Sequence, residues 1–369
     1  MVKIIIVVII GVVVLTRLIY TLFEKRNSGH STDLSSNEDE MFIATQSGSN
    51  QRIKDLGLDQ PSEDASSILN PKRLLLPTKN TDEPNDYQAD PSREWVIELI
   101  PTDGQIFHKA DFSKIFDYEW RSQFSSTLYG YAIEEKEWTY ANAGDSPNEY
   151  NKLQIGIDVQ RVYAEESQDY SPIQLERYRT ELEKRLQHYP TPVRLETKES
   201  IAVAIQKARR LIDVYNQFNK DAIIILQSAK RFKGIEAWDA LQCTGLNWGD
   251  MDIFHWNNYE SKYGHDQHFS VWTSTDPGFF FPEEIKNGNM NPENLIFGFS
   301  IPRSAYPINV YKIMLEAAQY CQNKLGGKLL NEHSQPLNEH LEQQELLQLI
   351  EALKKEGIPP GSGKALRMF

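Results

Sequence analysis

The sequence predicts an α/β (α+β) protein: a single transmembrane helix, a disordered linker, then two β-α-β-β-β-α-β-α modules. Each module is expected to hold an antiparallel-rich sheet covered on one face by helices. Three observations lead there. Ile4 to Phe23 is an apolar run broken by Thr16, Arg17, Tyr20 and Thr21. From Asn27 to about Ser92 the composition turns to Ser, Asp, Glu, Asn, Gln and Pro with few aromatics. Beyond that, stretches with period-two alternation and stretches with helical spacing follow one another, twice in the same order.

Residues 1–26 read as the anchor. Ile4 to Phe23, 20 residues, spans the roughly 30 Å hydrocarbon core at helical rise. Arg17 lies near the C-terminal end, where its long side chain snorkels to the interface. Lys25 and Arg26 follow directly, against Lys3 on the other flank. That basic excess places the N-terminus outside and the C-terminal bulk in the cytoplasm. A cleaved signal peptide fits less well, because there is no Ala-x-Ala site and the charges sit on the opposite flank.

Residues 27–92 read as a disordered linker, with too little apolar surface to offset the entropy of ordering the chain. A coil of that length has a root-mean-square reach of about 45 Å. Ile68 to Leu76 (Ile-Leu-Asn-Pro-Lys-Arg-Leu-Leu-Leu) is the apolar exception, read as a sticky stretch of the tether rather than a docking motif.

The balance of charge excludes some partners. The 369 residues carry a net charge of -13, with a pI near 5.2. Nucleic acid is excluded, since phosphates call for clustered Lys and Arg, and anionic lipid beyond the anchor would repel the chain. The two cysteines, Cys243 and Cys321, fall on core-facing helix positions and read as buried free thiols of a reducing compartment.

The first module spans residues 93–219. Trp95 to Ile100 is a strand and Lys109 to Trp120 a helix. Leu128 to Ile133 and Glu137 to Ala141 form a hairpin, and Lys152 to Val159 alternates as a strand. Pro172 to His188 is a helix with Pro at its start. Pro192 to Glu196 is a short strand and Lys198 to Phe218 a long helix. The second module spans residues 220–356. Lys220 to Lys230 carries the β-branched run Ile223-Ile224-Ile225. Gly234 to Cys243 is an amphipathic helix with Ile235, Trp238 and Leu241 on one stripe. Asn247 to Trp256 is a strand opened by Gly249, with Met251, Ile253 and His255 on one face and Asp252, Phe254 and Trp256 on the other. Phe269 to Thr275 and Leu295 to Ile301 are two more strands. Asn309 to Leu325 is a helix stopped by Gly326-Gly327, Lys328 to Asn331 a short strand, and Glu339 to Lys355 a final helix. The shared element order suggests two copies of one fold, the first strongly diverged; Leu128-Tyr129-Gly130-Tyr131 falls where Asn247-Trp248-Gly249-Asp250 falls.

Several side-chain groups invite a chemical reading. His255, His265 and His268 with Asp266 surround one strand-loop-strand connection, which a metal-binding or enzymatic site would use; histidines in so polar a loop are more often solvated hairpin residues. Asp250 and Asp252, two apart on a strand, share a face and would allow acid–base work, but no nucleophile or phosphate loop accompanies them. Gly357 to Ala365 resembles the end of a phosphate loop, yet Ala365 stands where Ser or Thr must hold magnesium. Residues 357–369 read as a flexible tail. The sequence gives no catalytic residue, metal or cofactor.

Gly249-Asp250-Met251-Asp252-Ile253-Phe254-His255 resembles a strand of the C-terminal domain of the ZipA family of bacterial cell-division proteins. Phe269-Ser270-Val271, Pro277-Gly278-x-Phe280-x-Pro282-Glu283, Lys312-Ile313-Met314-Leu315 and Leu325-Gly326-Gly327 follow in the family's order, and the likeness covers about residues 220–355. The N-terminal anchor is of the family's kind. The resemblance implies a single-pass inner-membrane protein without catalysis, whose second module binds the C-terminal peptide of FtsZ and tethers the division ring to the membrane. It also implies a binding face. Carried over by position, the partner would meet Ile223 and Ile225, Met251 and Ile253, Trp272 and Ser274, and Ile296, Gly298 and Ser300. Helices would cover the other face through Ile224, Leu226, Phe254, Val271, Phe297 and Phe299. Ser274 and Gly298 depart from the family's larger side chains, and Trp272 is larger than its counterpart. A scaffold whose second-module face is occupied by the first module is the remaining reading.

Overall fold

The computed structural model describes residues 48–74, 87–102, 104–124, 126–165, 171–259 and 263–369. The anchor expected over 1–26, and with it the signal-peptide alternative, lies outside the described residues, as do linker residues 27–47 and 75–86. Among the described residues no helix is long and apolar enough to cross a membrane. The described residues divide into two compact units, one within 82–217 and one from residues on either side of it in the sequence.

In the 82–217 unit, β1 (Glu94–Pro101), β2 (Phe107–His108), β3 (Ser126–Ala132), β4 (Trp138–Tyr140), β5 (Glu149–Asp158) and β6 (Val193–Thr197) form one antiparallel sheet in the order β4-β3-β5-β1-β6, with β2 beside β5. Trp95, Ile97 and Leu99 alternate along β1 and are fully buried. Helices Lys109–Ile115, Tyr118–Ser122 and Ser171–Leu186 add Phe112, Trp120, Tyr178 and Leu182 to the buried set. The sequence predicts one helix from Lys109 to Trp120. The structure ends it at Ile115 and starts another after Asp117, whose carboxylate accepts from the Trp120 amide at 2.9 Å and caps the new helix.

In the other unit, β7 (Asp221–Gln227), β8 (Asn247–Trp248), β9 (Phe254–Asn257), β10 (Gln267–Trp272), β11 (Asn294–Ser300) and β12 (Lys328–Leu330) form an antiparallel sheet in the order β12-β7-β11-β10-β9-β8. One face is closed: Ile224, Leu226, Phe254, Val271 and Phe297 are fully buried. They share a core with Trp238 and Leu241 of helix Gly234–Cys243 and with Val310, Met314, Ala317 and Cys321 of helix Pro307–Leu325.

The two sheets correct the expectation of two copies of one fold. Both put the last strand, the first strand and the strand before the last crossover side by side: β6-β1-β5 in one, β12-β7-β11 in the other. They then part. In the first, β5 pairs with β3 and leaves β4 at the edge; in the second, β11 pairs with β10 and leaves β9 and β8 beyond it. Element order along the chain specifies that a hairpin forms. It does not specify which arm of the hairpin joins the central strands.

The linker expectation is also corrected where the chain is described. Residues 48–55 are helical, and Ser66–Leu69 and Pro71–Arg73 form 3-10 turns. Ile53, Leu58, Leu69 and Leu74 are buried within the core of the second sheet's unit. Four apolar side chains cannot make a core of their own, but they extend one that exists, so composition averaged over 27–92 concealed them. Leu69 and Leu74 belong to the apolar stretch expected to be a sticky part of the tether; its described residues, 68–74, are docked. The tail is packed as well. Gly363–Met368 is helical, and Ile358, Ala365, Met368 and Phe369 are buried. The Gly361 amide donates to the Pro302 carbonyl at 2.8 Å, and its carbonyl accepts from the Gly264 amide at 3.2 Å. Gly361 has φ +72° and leaves no room for a Cβ beside Ala305, so only glycine fits this crossing.

Candidate functional site

The outer face of the second sheet is built by register. Ile223 of β7 lies opposite Gly298 of β11, which lies opposite Ser270 of β10, which lies opposite His255 of β9. The next row runs Leu330, Ile225, Ile296 and Trp272, and Asp221 faces Ser300 beyond. Strand β7 alternates between buried inner residues and outer ones that are half-buried, apart from the exposed Asp221 at its start. Of the nine residues expected on this face, Ile223, Ile225, Trp272, Ile296, Gly298 and Ser300 are brought together here. Ile253, half-buried, precedes the core-facing Phe254 and adjoins the same face. Leu330 and Ser270 also belong to it and were missed. The alternation of β7 would have found Leu330 once β12 was placed beside it.

Gly298 does not leave a hollow. A Cβ there would lie 2.6 Å from the Ile223 Cδ1 and 2.6 Å from the Trp272 Cη2. The indole and the isoleucine methyl therefore already cover the glycine, and the face is a shallow apolar surface.

Met251 and Ser274 are not on strands, contrary to expectation. The strand expected from Asn247 to Trp256 is broken by a 3-10 turn at Asp250–Asp252, in which Met251 (φ 57°) and Asp252 (φ 56°) are both left-handed. Local hydrogen bonds hold the turn. The Asp250 carbonyl accepts from His255 Nε2 at 2.8 Å, the Asp252 carbonyl accepts from the Phe280 amide at 2.8 Å, and the Gly249 amide donates to the Ile253 carbonyl at 3.1 Å. Asp250 and Asp252 thus do not share a strand face. Burial raises the Asp252 carboxyl above its ordinary range, and the Arg52 guanidinium at 3.4 Å offsets this only in part. Ser274 lies past the end of β10. Its amide donates to Asn294 Oδ1 at 2.9 Å and its hydroxyl to Glu293 Oε1 at 2.7 Å, so it closes a polar corner.

The three histidines do not converge. His255 is buried, and burial lowers its pKa. Because the Asp250 carbonyl can only accept, Nε2 carries the proton and Nδ1 accepts from the Ser270 hydroxyl at 2.8 Å. His265 Nδ1 accepts from the Gln267 amide at 3.1 Å. His268 packs against the Trp256 ring, with centroids 4.4 Å apart, and burial pushes it down to about 4. Among the described residues no group of three or more His, Cys, Asp or Glu side chains is placed to hold a metal ion. That corrects the metal-binding alternative: each imidazole is engaged separately by its own loop or strand. On the helical side of the unit, a recess of about 340 Å³ is lined by Leu58, Trp238, Asp239 and Lys324 among others. Lys324 there pairs with Asp239 at 2.9 Å.

Comparison with known proteins finds one matching family, described as the ZipA C-terminal FtsZ-binding domain, over residues 222–348. Relatives named cell division protein ZipA are similar to this chain. The one from Marinobacter nauticus is 30% identical over 109 residues, 30% of this chain and 31% of its own. The one from Pseudomonas aeruginosa is 31% identical over 110 residues, 30% of this chain and 37% of its own. The one from Actinobacillus pleuropneumoniae is 23% identical over 120 residues, 32% of this chain and 35% of its own. The likeness therefore spans about a third of each relative's length.

Proposed function

We propose that this chain, whose residues 222–348 are similar to the ZipA C-terminal FtsZ-binding domain, binds the C-terminal tail of FtsZ on the outer face of its second sheet. The observation that carries this reading is the apolar row of Leu330, Ile225, Ile296 and Trp272, with Ile223 beside it. It lies on a sheet whose opposite face is fully closed by helices. A row of aliphatic side chains under an indole suits an amphipathic peptide, because apolar burial supplies affinity without demanding a unique polar pattern. The work of such a module is recruitment rather than bond chemistry. The apolar run from Ile4 to Phe23 would anchor the chain in the inner membrane, with the C-terminal bulk cytoplasmic. Anchoring raises local concentration, and many tails along one polymer raise avidity. Ile253 continues the face beyond the Val271–Phe254 pair, Met251 precedes it in the 250–252 turn, and Ser270 and Ser300 add polar groups to the face.

The test is titration of a labelled FtsZ C-terminal peptide with the full chain, read by fluorescence anisotropy. Micromolar binding that falls at least tenfold in Ile225→Lys supports the reading. A folded chain that leaves the peptide free at hundreds of micromolar rules it out.

A further inference from the structure

The matched residues begin at 222, yet the unit is closed by residues far upstream. Arg52, on the helix at 48–55, reaches Asp252, 200 positions on. Its Nε and Nη2 donate to the two Glu283 carboxylate oxygens, both at 2.7 Å, and its Nη1 lies 3.4 Å from Asp252 Oδ1. The guanidinium also sits 5.1 Å above the centre of the Trp248 ring. One planar group thus links the end of β8, the 250–252 turn and the helix Pro282–Lys286. Arginine suits such a place, because its fork meets a carboxylate with two parallel hydrogen bonds while its flat face stacks on an aromatic ring.

That turn needs support. Two successive non-glycine residues in the left-handed region store strain that the surroundings must hold. Hydrogen bonds to the Asp250 and Asp252 carbonyls, from His255 Nε2 and from the Phe280 amide, secure its two sides. Asp252's side chain is secured by Arg52. Arg52 is itself on a fixed element. Ile53 and Leu58 are buried in the core, and the Trp238 indole N–H donates to the Leu58 carbonyl at 3.1 Å within the interior. The turn in question carries Met251 and leads directly into Ile253, the rim of the proposed binding face.

We infer that Arg52 is a positioning residue for the partner-binding face, fixing the 249–253 turn from a segment outside the family's matched domain. This inference rests on the proposed tail-binding reading. A fragment consisting of the matched residues alone would then present the rim loosely. The segment at 48–74 is in that case part of the binding module, although it touches the side of the unit away from the apolar row.

The experiment uses the full chain and three variants. Arg52→Met removes the clamp and keeps the length of the side chain. Arg52→Lys keeps the charge without the fork. Arg73→Met removes the other arginine anchor of the same segment, which donates to Glu316 at 2.7 Å and does not contact the turn. Two quantities are read: affinity for the labelled FtsZ C-terminal peptide, and amide hydrogen exchange at residues 250–253. Arg52→Met is expected to weaken affinity about tenfold and speed exchange in the turn about tenfold, Arg52→Lys to recover about a third of that loss, and Arg73→Met to change neither. Equal losses in the Arg52→Met and Arg73→Met variants would reduce Arg52 to a general anchor and overturn the inference. Unchanged exchange in Arg52→Met would overturn it as well. A wild-type chain that does not bind the peptide defeats the tail-binding reading, and the exchange result alone then decides whether Arg52 holds the turn.

Discussion

Replacing Gly298 with alanine tests the packing of the outer face. The added Cβ would stand 2.6 Å from the Ile223 Cδ1 and 2.6 Å from the Trp272 Cη2. Carbon atoms rest at roughly 3.5–4.0 Å, so about 1 Å must be found on two sides at once. The backbone does not oppose the change, since Gly298 is not among the left-handed glycines. Elsewhere a glycine-to-alanine change at such a position would gain about 0.4–1 kcal/mol by restricting the unfolded chain. Overpacking costs about 1–3 kcal/mol, which outweighs that gain. The net expectation is a loss of about 1–2 kcal/mol, with the indole displaced from the sheet. Thermal unfolding followed by circular dichroism reads the first, and tryptophan emission compared with a Trp272→Phe background reads the second. Trp272→Phe removes the indole atoms that the Cβ meets and leaves the Ile223 contact, so the double variant should lose less than Gly298→Ala alone. A Gly298→Ala protein as stable as wild type, with unchanged emission, would refute the account of a glycine covered by its neighbours.

Other expectations follow from the same packing. Trp238→Phe leaves the Leu58 carbonyl without its interior donor, at a cost of about 1–3 kcal/mol; urea unfolding measures it, and limited proteolysis should then cut within 48–74 first. Acid should destabilise the second unit through His268, which burial holds down at about 4 while the unfolded chain takes up its proton near 6.5. The folded value lies below the unfolded one, so stability is full above about 6.5 and is lost as pH falls towards about 4. The loss is at most about 3 kcal/mol for this residue. Urea midpoints at pH 7 and pH 4.5 test it; His268→Asn should reduce the difference by this residue's share, while His265, which burial also holds down to about 4, keeps its own. Ile358→Ala, in the packed C-terminal segment, should cost about 2–4 kcal/mol and lower the unfolding temperature; an unchanged midpoint would mean that the segment contributes nothing to the core.

Much of the second unit was legible because its local signals agree with one another. The helices Gly234–Cys243 and Glu339–Lys355 have the predicted ends. Gly245 at φ +95° follows the first, and the Asn338 side chain caps the second by accepting from the Leu341 amide. The grouping of β7 residues by face was readable from period-two alternation, although which face is the outer one came from the family resemblance, because Ile223, Ile224 and Ile225 are apolar on both sides. The 250–252 turn was not, because Gly-Asp-Met-Asp-Ile-Phe alternates as well as any strand. What breaks it is Asp250 and Asp252 giving their carbonyls to His255 and Phe280, and those partners are fixed only by the fold. Arg52 was invisible for the same reason: its carboxylate partners, Asp252 and Glu283, lie about 200 residues downstream. The order of the strands within each sheet was hidden too, since either arm of a hairpin satisfies the same alternation.

The central claim is that an FtsZ tail lies on the open face of the second sheet. Its most direct test is hydrogen exchange of the full chain with and without the FtsZ C-terminal peptide. The account expects slowed exchange confined to β12, β7, β11 and β10 and to the 249–253 turn, lost in Ile225→Lys. Protection centred instead on the recess near Leu58, Trp238 and Lys324, or on residues 82–217, would contradict it.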